Sequence, residues 1–309
     1  MVATVDQSAK KKEDLEREMS YLFTDLNVKA HYSLSQKDKT YLSYYTGKDE
    51  FSDASITVND STEINDPDVI STFSNEEYAL DWGNQILSTR WNRLHSDKLF
   101  SNTTATFSDF KYTITRISEA ELSVLEEELF AFRAQSSYSS TISDFSLRTD
   151  FDYFINQAHH VRFGAAAIHR SFRPGLTESN LEGDKLDSIP DFKKNNFEEN
   201  EAIKTGELSV YVEDEFQKDN WTINGGIRLS IFSRKGKTDI VPQPRLAVNY
   251  RFNKYLNFQA TATHTAQFLH LLTRSDSGLP NDLWLPSGLN TPPQKSWQFS
   301  TSFSGNLDE

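Results

Sequence analysis

Trp221-Thr222-Ile223-Asn224-Gly225-Gly226-Ile227-Arg228-Leu229-Ser230-Ile231-Phe232 is the stretch that decides how this chain folds. Trp221, Ile223, Ile227, Leu229 and Ile231 occupy every second position, and Thr222, Asn224, Arg228 and Ser230 fall between them. Wound into a helix, these residues would scatter around the circumference. In an extended strand they sort onto two faces, one apolar and one polar, because successive side chains point to opposite sides.

The same alternation runs outward in both directions. Downstream, Leu246, Val248, Tyr250 and Phe252 oppose Arg245, Asn249 and Arg251. Leu256, Phe258, Ala260, Ala262, Ala266 and Phe268 oppose Asn257, Gln259, Thr261, Thr263, Thr265 and Gln267, and Trp297, Phe299 and Phe303 oppose Ser296, Gln298, Ser300 and Ser302. Upstream, Leu208, Val210, Val212 and Phe216 oppose Glu207, Ser209, Glu213 and Glu215, with Asp214 interrupting the apolar side. Phe145, Leu147, Phe151 and Tyr153 oppose Asp144, Ser146, Arg148, Asp150 and Asp152, and Leu22, Leu26, Val28, Ala30, Tyr32 and Leu34 oppose Asp25, Asn27, Lys29, His31 and Ser33. With less regular segments near Gly83–His95, Phe100–Arg116 and His159–Arg173, the chain reads as all-β, with about eleven strands.

The links alternate in length. Short ones, made of turn formers, lie at Gln36–Lys39, Ser96–Lys98, Asn156–Ala158, Lys218–Asn220 and Asn253–Lys254. Long ones lie at Thr46–Glu77, Ile117–Tyr138, Pro174–Gly206, Ser233–Pro242 and His270–Lys295. Ser118 with Glu121 and Ser74 with Glu77 have capping-box spacing and predict a helical turn in two of the long links. Tight turns therefore gather at one end of an antiparallel up-and-down sheet and long loops at the other. Residues 1–20 read as a charged lead-in, a short helix or disordered, and residues 21–309 as the sheet.

Bulk composition narrows the class. The 309 residues carry a formal net charge of −13, and mean hydropathy is −0.61. No run approaches the ~20 apolar residues of a spanning helix, but a barrel strand hides its membrane signal by alternation. The acidity disfavours nucleic acid as a partner. The absence of cysteine excludes a disulfide framework. Lys10-Lys11-Lys12-Glu13-Asp14 follows the first residues directly, and no signal-peptide core precedes it.

A soluble β-sandwich would alternate too. Three features favour a membrane barrel. Strands of ten or more residues suit the ~9–11 of a tilted span. Aromatics sit near strand ends, at Tyr41, Tyr44, Tyr45, Trp221, Phe252, Tyr255 and Trp297. The polar faces carry full charges, among them Glu213, Glu215, Arg228, Arg245 and Arg251, that would line a wet lumen.

The order of these segments resembles a family. Tyr211-Val212-Glu213-Asp214-Glu215-Phe216, the quoted strand from Trp221, Pro244–Phe252, Gln267–His270 and Leu279–Pro286, with Leu80–Asn84 and Lys98–Thr104 upstream, are similar to the barrel of TonB-dependent receptors. The resemblance runs from about residue 20 to the end and implies energy-coupled uptake across the outer membrane of Gram-negative cells. The implied ligand is a nutrient such as an iron chelate, haem, cobalamin or glycan. The implied barrel has about 22 strands and an N-terminal plug that meets the TonB energy-coupling complex. About eleven strands make half of such a barrel, and no plug sequence is recognisable, so the expectation is a fragment. A passive porin-type barrel and a soluble β-rich binding protein are the alternatives.

The sequence offers little chemistry of a catalytic kind, and the expectation is a non-enzyme without cofactor or metal. His159 and His160 are adjacent on a strand and face opposite ways, a poor arrangement for joint chelation. His264 and His270 read as ordinary exposed histidines. Asp144, Asp150 and Asp152 share a face, with the spacing of a solvated lumen wall. Gly225-Gly226 lacks a following helix and reads as relief of crowding rather than a phosphate loop. The acidic stretch Asn196–Glu201, with Glu182, Asp184 and Asp187, reads as a solvated loop. The family's ligand contacts come from variable loops, so no ligand-binding residue is assigned.

Overall fold

The computed structural model describes residues 11–63, 66–124, 127–183, 198–199, 201–272 and 283–305. Six long strands come first: β1 (Lys11–Ser33), β2 (Asp38–Glu63), β3 (Asp66–Ser96), β4 (Leu99–Val124), β5 (Glu127–Phe154) and β6 (His159–Gly183). The two-residue β7 (Glu198–Glu199) pairs with β6. There follow β8 (Ile203–Lys218), β9 (Trp221–Arg234), β10 (Lys237–Arg251), β11 (Leu256–Gln267), the short β12 (Leu269–Leu272) and β13 (Leu283–Pro286), and β14 (Gln294–Gly305). β1 to β6, β8 to β11 and β14 form one antiparallel path in chain order, and β12 pairs with β13 as a separate hairpin. Eleven long strands wound up and down agree with the sequence reading.

All five short links are found where turn formers predict them. Asn156 and Asn253 each act through the side-chain oxygen. Asn156 Oδ1 accepts from the amides of Ala158 (2.8 Å) and His159 (3.0 Å), and Asn253 Oδ1 from those of Tyr255 (2.7 Å) and Leu256 (2.9 Å). Such side-chain turns replace the ladder bonds a reversing chain loses. At the β1–β2 turn Asp38 plays the organising part. Ser35 Oγ donates to its carboxylate at 2.8 Å, Trp91 Nε1 at 3.0 Å, and the Arg93 guanidinium lies 3.5 Å away. Led by the Ser35 hydroxyl, these contacts hold the Asp38 carboxyl below the usual carboxylate range.

The long links differ from expectation. Most of Thr46–Glu77 and Ile117–Tyr138 is strand, so that β2 to β5 reach 26, 31, 26 and 28 residues. Ser233–Pro242 is a hairpin closed at Lys235-Gly236, with Gly236 at φ 81°. Ser74 and Glu77 lie within β3, and Ser118 and Glu121 within β4, all paired across the ladder. The capping-box spacing therefore marks no helical turn there: cross-strand pairing overrides a four-residue signal. Likewise β1 begins at Lys11, so the second half of the expected lead-in is strand, and residues 1–10 lie outside the described residues.

Burial runs opposite to that of a water-soluble sheet. On β8, Leu208, Val210 and Val212 are each 48% exposed, whereas Thr205 and Ser209 are 3% exposed. On β9, Leu229 is 37% exposed and its neighbour Ser230 1%. A flat single sheet would expose both faces alike; on β8 and β9 the polar face is the covered one. Register joins the apolar positions into a belt: Leu208 faces Ile231, Val210 faces Leu229, Val212 faces Ile227, Ile223 faces Val248, and Val248 faces Ala260. Toward the tight turns, Trp221, Tyr250, Phe258 and Phe303 follow one another in register across β9, β10, β11 and β14, and the Trp221 and Tyr250 rings are 4.5 Å apart. An exposed apolar belt edged by aromatics suits a sheet whose outer face meets hydrocarbon.

The buried apolar core is small. Phe232, Val241 and Phe268 form its centre, with Phe232 and Phe268 stacked at 4.9 Å, and Ala266 packs against it. β13 lies against β6, so the β12–β13 hairpin crosses the inner face of the strands between.

Candidate functional site

The polar inner wall is the candidate site, and it has two unlike halves. On β5, β6, β8, β9 and β10 charged side chains interlock. Arg170 bridges two carboxylates, with Nε 3.1 Å from Asp144 Oδ2 and Nη1 3.1 Å from Glu207 Oε2. Arg148 Nε is 2.6 Å from Asp150 Oδ2, and Tyr211 donates its hydroxyl to Asp150 Oδ1 at 2.6 Å. Tyr211 reaches that far because Gly164 stands between Asp150 and Tyr211 in register; a Cβ at Gly164 would lie 2.8 Å from the tyrosine ring. Glu213 lies between Arg162 (2.8 Å, without hydrogen-bond alignment) and Arg245 (3.5 Å). Arg228 Nη2 donates to Ser209 Oγ at 2.7 Å, and Gln243 Nε2 to Ser230 Oγ at 2.9 Å.

On β1 to β4 the inner wall is different. His31, Tyr41, Arg90 and Thr104 stand in one cross-strand row. The Arg90 guanidinium lies 4.5 Å over the Tyr41 ring, a cation–π contact, and the His31 ring stacks on Tyr41 at 6.1 Å. One row toward the long hairpins Lys29 stands beside Ser43 and Ser88; one row toward the turns Lys39 stands beside Ser33 and Asn92. Among the described residues Lys29, Lys39 and Arg90 have no acidic partner. A cavity of 520 Å³ opens here, lined by Lys29, His31, Tyr41, Ser88, Arg90 and Asn102 among others, none of them acidic. Further from the turns the same wall becomes aromatic. Tyr21 and Trp82 lie 6.1 Å apart, Tyr21 donates to Asp49, and Tyr45 donates to Asp25 at 2.8 Å.

The candidates from sequence fall as follows. Asp144, Asp150 and Asp152 do share the inner face, each engaged by an arginine, a tyrosine or a histidine: His160 Nε2 lies 3.0 Å from Asp152 Oδ1. His159 points outward and pairs with Asp214 at 2.7 Å, so the two adjacent histidines are on opposite faces. His264 lies on the outer face, bonded to the Pro242 carbonyl at 2.8 Å and stacked on Trp297. His270 corrects the expectation of an exposed residue. It is 7% exposed and 2.9 Å from Ser287 Oγ, because the β12–β13 hairpin folds inward over it. Gly226 does relieve crowding: a Cβ there would meet Glu213 Cβ at 2.5 Å and the Val212 carbonyl at 2.9 Å. Of the acidic loop, Asp184, Asp187 and residues 196–197 and 200 lie outside the described residues, and Glu198–Glu199 forms β7. Sequence reasoning left out Arg148, Arg162, Arg170, Tyr41 and Arg90 as partners, since only cross-strand register brings them together.

The profile of the family described as "TonB dependent receptor-like, beta-barrel" matches residues 19–308. The chain belongs to that family. No curated protein sequence matches it. Among solved structures it is similar to P. aeruginosa FpvA bound to a pyoverdine–iron complex, with 10% identity, a TM-score of 0.51, and cover of 97% of this chain and 46% of that one. It is also similar to BauA, the ferric preacinetobactin receptor of Acinetobacter baumannii, with 10% identity, a TM-score of 0.45, and cover of 97% and 52%. This chain of a TonB-dependent receptor barrel thus spans about half the length of those solved chains. At such identity the first likeness shows the fold alone, and it agrees with the strand path found here.

Proposed function

We propose that these strands form part of the wall of an outer-membrane receptor that imports a nutrient under TonB energy coupling. The inside-out sheet carries this reading: an apolar, aromatic-edged outer belt backs a charged inner wall. A soluble β-rich protein would have to cover that belt with something else, and a membrane covers it directly. In the whole receptor, further strands would complete the barrel, and a plug would fill its lumen and meet TonB. FpvA, solved with a pyoverdine–iron complex, makes an iron chelate the first nutrient to test; haem, cobalamin and glycans follow.

The test is made in cells carrying the full-length gene. Membrane fractions are probed for the protein, and uptake of radiolabelled ferric chelates is measured with and without TonB. Outer-membrane recovery with TonB-dependent uptake is expected. Solute entry that persists without TonB would replace the reading with a passive porin, and recovery in the soluble fraction would replace it with a binding protein.

A further inference from the structure

We propose that the β12–β13 hairpin is a strap across the end of the wall away from the tight turns, hinged on a seam between β10 and β11, and that it lifts to open the passage beneath it. The inference rests on reading the face it covers as the lumen. The seam is written in the backbone. The β10–β11 ladder stops at Arg245–Thr263, and beyond that pair β10 stays bound to β9 and β11 to β14. The Arg251 amide donates to the Asn220 carbonyl, on the β9 side. Counting back by twos, Gln243 and Val241 also donate toward β9, which leaves positions 242 and 244 to donate toward β11. Both are proline and have no N–H to give. Side chains fill the gap instead. His264 Nδ1 donates to the Pro242 carbonyl at 2.8 Å, and the Ala266 amide donates to Gln243 Oε1 at 3.0 Å.

Freed from β10, the chain after Gln267 turns inward. Phe268 stacks on Phe232 at 4.9 Å, and both are buried with Val241. β12 and β13 follow as a hairpin whose base is bonded to itself: the Ser287 amide donates to the Phe268 carbonyl at 2.8 Å, and the His270 ring lies 2.9 Å from Ser287 Oγ. Its returning strand lies against β6. The ties described between hairpin and wall are of a kind that release one at a time: the ring stack, and Lys237 Nζ donating to the Gly288 carbonyl at 3.0 Å. A self-bonded hairpin on such ties moves as a unit once the seam gives, whereas a zipped ladder would hold its root. Val241 stands about a dozen residues along β10 from the turn at Asn253, beyond the ~9–11 of a tilted span. The strap therefore crosses the wall at the end opposite the tight turns, where the long hairpins gather.

The experiment is thiol labelling of the full-length protein in intact cells. The 309 residues contain no cysteine, so Val241→Cys, a substitution of similar size beneath the strap, serves as reporter once any cysteine elsewhere in the receptor is replaced. The probe is a neutral polyethylene-glycol maleimide that does not cross the membrane. Slow labelling from outside is expected. Adding Lys237→Gln, which cuts the tie to Gly288, should speed it about threefold to tenfold. Adding Pro242→Val/Pro244→Val, which restores two donors toward β11, should slow it at least about tenfold. Lys254→Gln, the same loss of charge at a tight turn, should leave the rate unchanged. Each variant is first checked for the heat-modifiable migration of a folded barrel, so loss of fold is not scored as opening. No labelling in the folded protein would make the hairpin a fixed cover and overturn the strap. Equal rates in all the variants would overturn the hinge on which it depends, and labelling confined to lysed cells would place the hairpin at the wrong end. The expected order of rates in a protein that imports nothing keeps the strap and overturns the transport reading, while uptake with rates indifferent to these variants overturns the strap alone.

Discussion

The two halves of the inner wall solve the same electrostatic problem differently. On β5 to β10 several arginines and carboxylates neutralise one another, as Arg170 does between Asp144 and Glu207 on the two neighbouring strands. On β1 to β4, Lys29 and Arg90 line one cavity and Lys39 stands close by, with no acidic partner among the described residues. The first half satisfies much of its charge within the wall. Stability should therefore depend on charges in one half and hardly at all in the other.

The largest expected effect lies outside both halves, on the belt that makes the inner wall an inside. Val210 and Leu229 are paired in register and face outward. Placing arginine at either costs about 2–4 kcal/mol if that face meets hydrocarbon at mid-depth. The double variant Val210→Arg/Leu229→Arg should fail to reach the heat-modifiable folded form in lipid. Full folding of the double variant would mean that the belt does not face lipid.

Next comes the comparison of the halves themselves. Arg170→Met leaves two carboxylates facing each other on a wall where their exposure is low, 28% for Asp144 and 16% for Glu207. Breaking such a partly buried cluster should cost about 1–3 kcal/mol in urea unfolding from lipid. Arg90→Met removes a charge with no acidic partner and a cation–π contact, and should change stability by less than about 1 kcal/mol. Equal losses in the two variants would erase the distinction drawn between the halves.

A finer contrast separates adjacent glycines on β9. A Cβ at Gly226 collides with Glu213 Cβ and the Val212 carbonyl, whereas at Gly225 the nearest atom is Leu246 Cδ1 at 3.7 Å. Gly226→Ala should destabilise by about 1–3 kcal/mol, the usual effect of overpacking, because backbone on β8 would have to move. Gly225→Ala should be neutral or stabilising by about 0.5–1 kcal/mol, since it restricts the unfolded chain and fills open space. The two unfolding midpoints, compared at equal slope, test whether β8 and β9 approach as closely as the register requires.

How much of this was legible in the sequence depended on what each strand faces. Where the outer face must be apolar, as on Trp221–Ile231, alternation is plain, and the turns at Asn156 and Asn253 announce themselves by side-chain chemistry. Beyond the belt a strand has water on both sides and no reason to alternate. Lys48-Asp49-Glu50 and Asn59-Asp60-Ser61 lie in β2 yet have the composition of a loop, which is why the long hairpins read as loops. The wall charges were visible as residue types but not as partners. That Arg170 meets Glu207, or that Tyr41 carries Arg90, follows from register between strands, a quantity that a single chain read in order does not contain.

The smallest effect concerns the turn between β1 and β2. Asp38 is held below the ordinary carboxylate range by Ser35, helped by Trp91 and Arg93. A carboxyl whose folded value is depressed binds its proton more readily when unfolded. Its contribution to stability is therefore full above the unfolded value of about 3.9 and is lost as pH falls through the folded one. Asp38→Asn should remove that acid dependence. In unfolding titrations between pH 7 and pH 2 the parent should lose more stability on acidification than the variant, by a small margin because the group is in contact with solvent. Parallel curves would mean that the Ser35, Trp91 and Arg93 contacts do not act on the carboxylate as a charge, and that the turn is held by its backbone bonds from Leu34 and Ser35 to the Asp38 carbonyl.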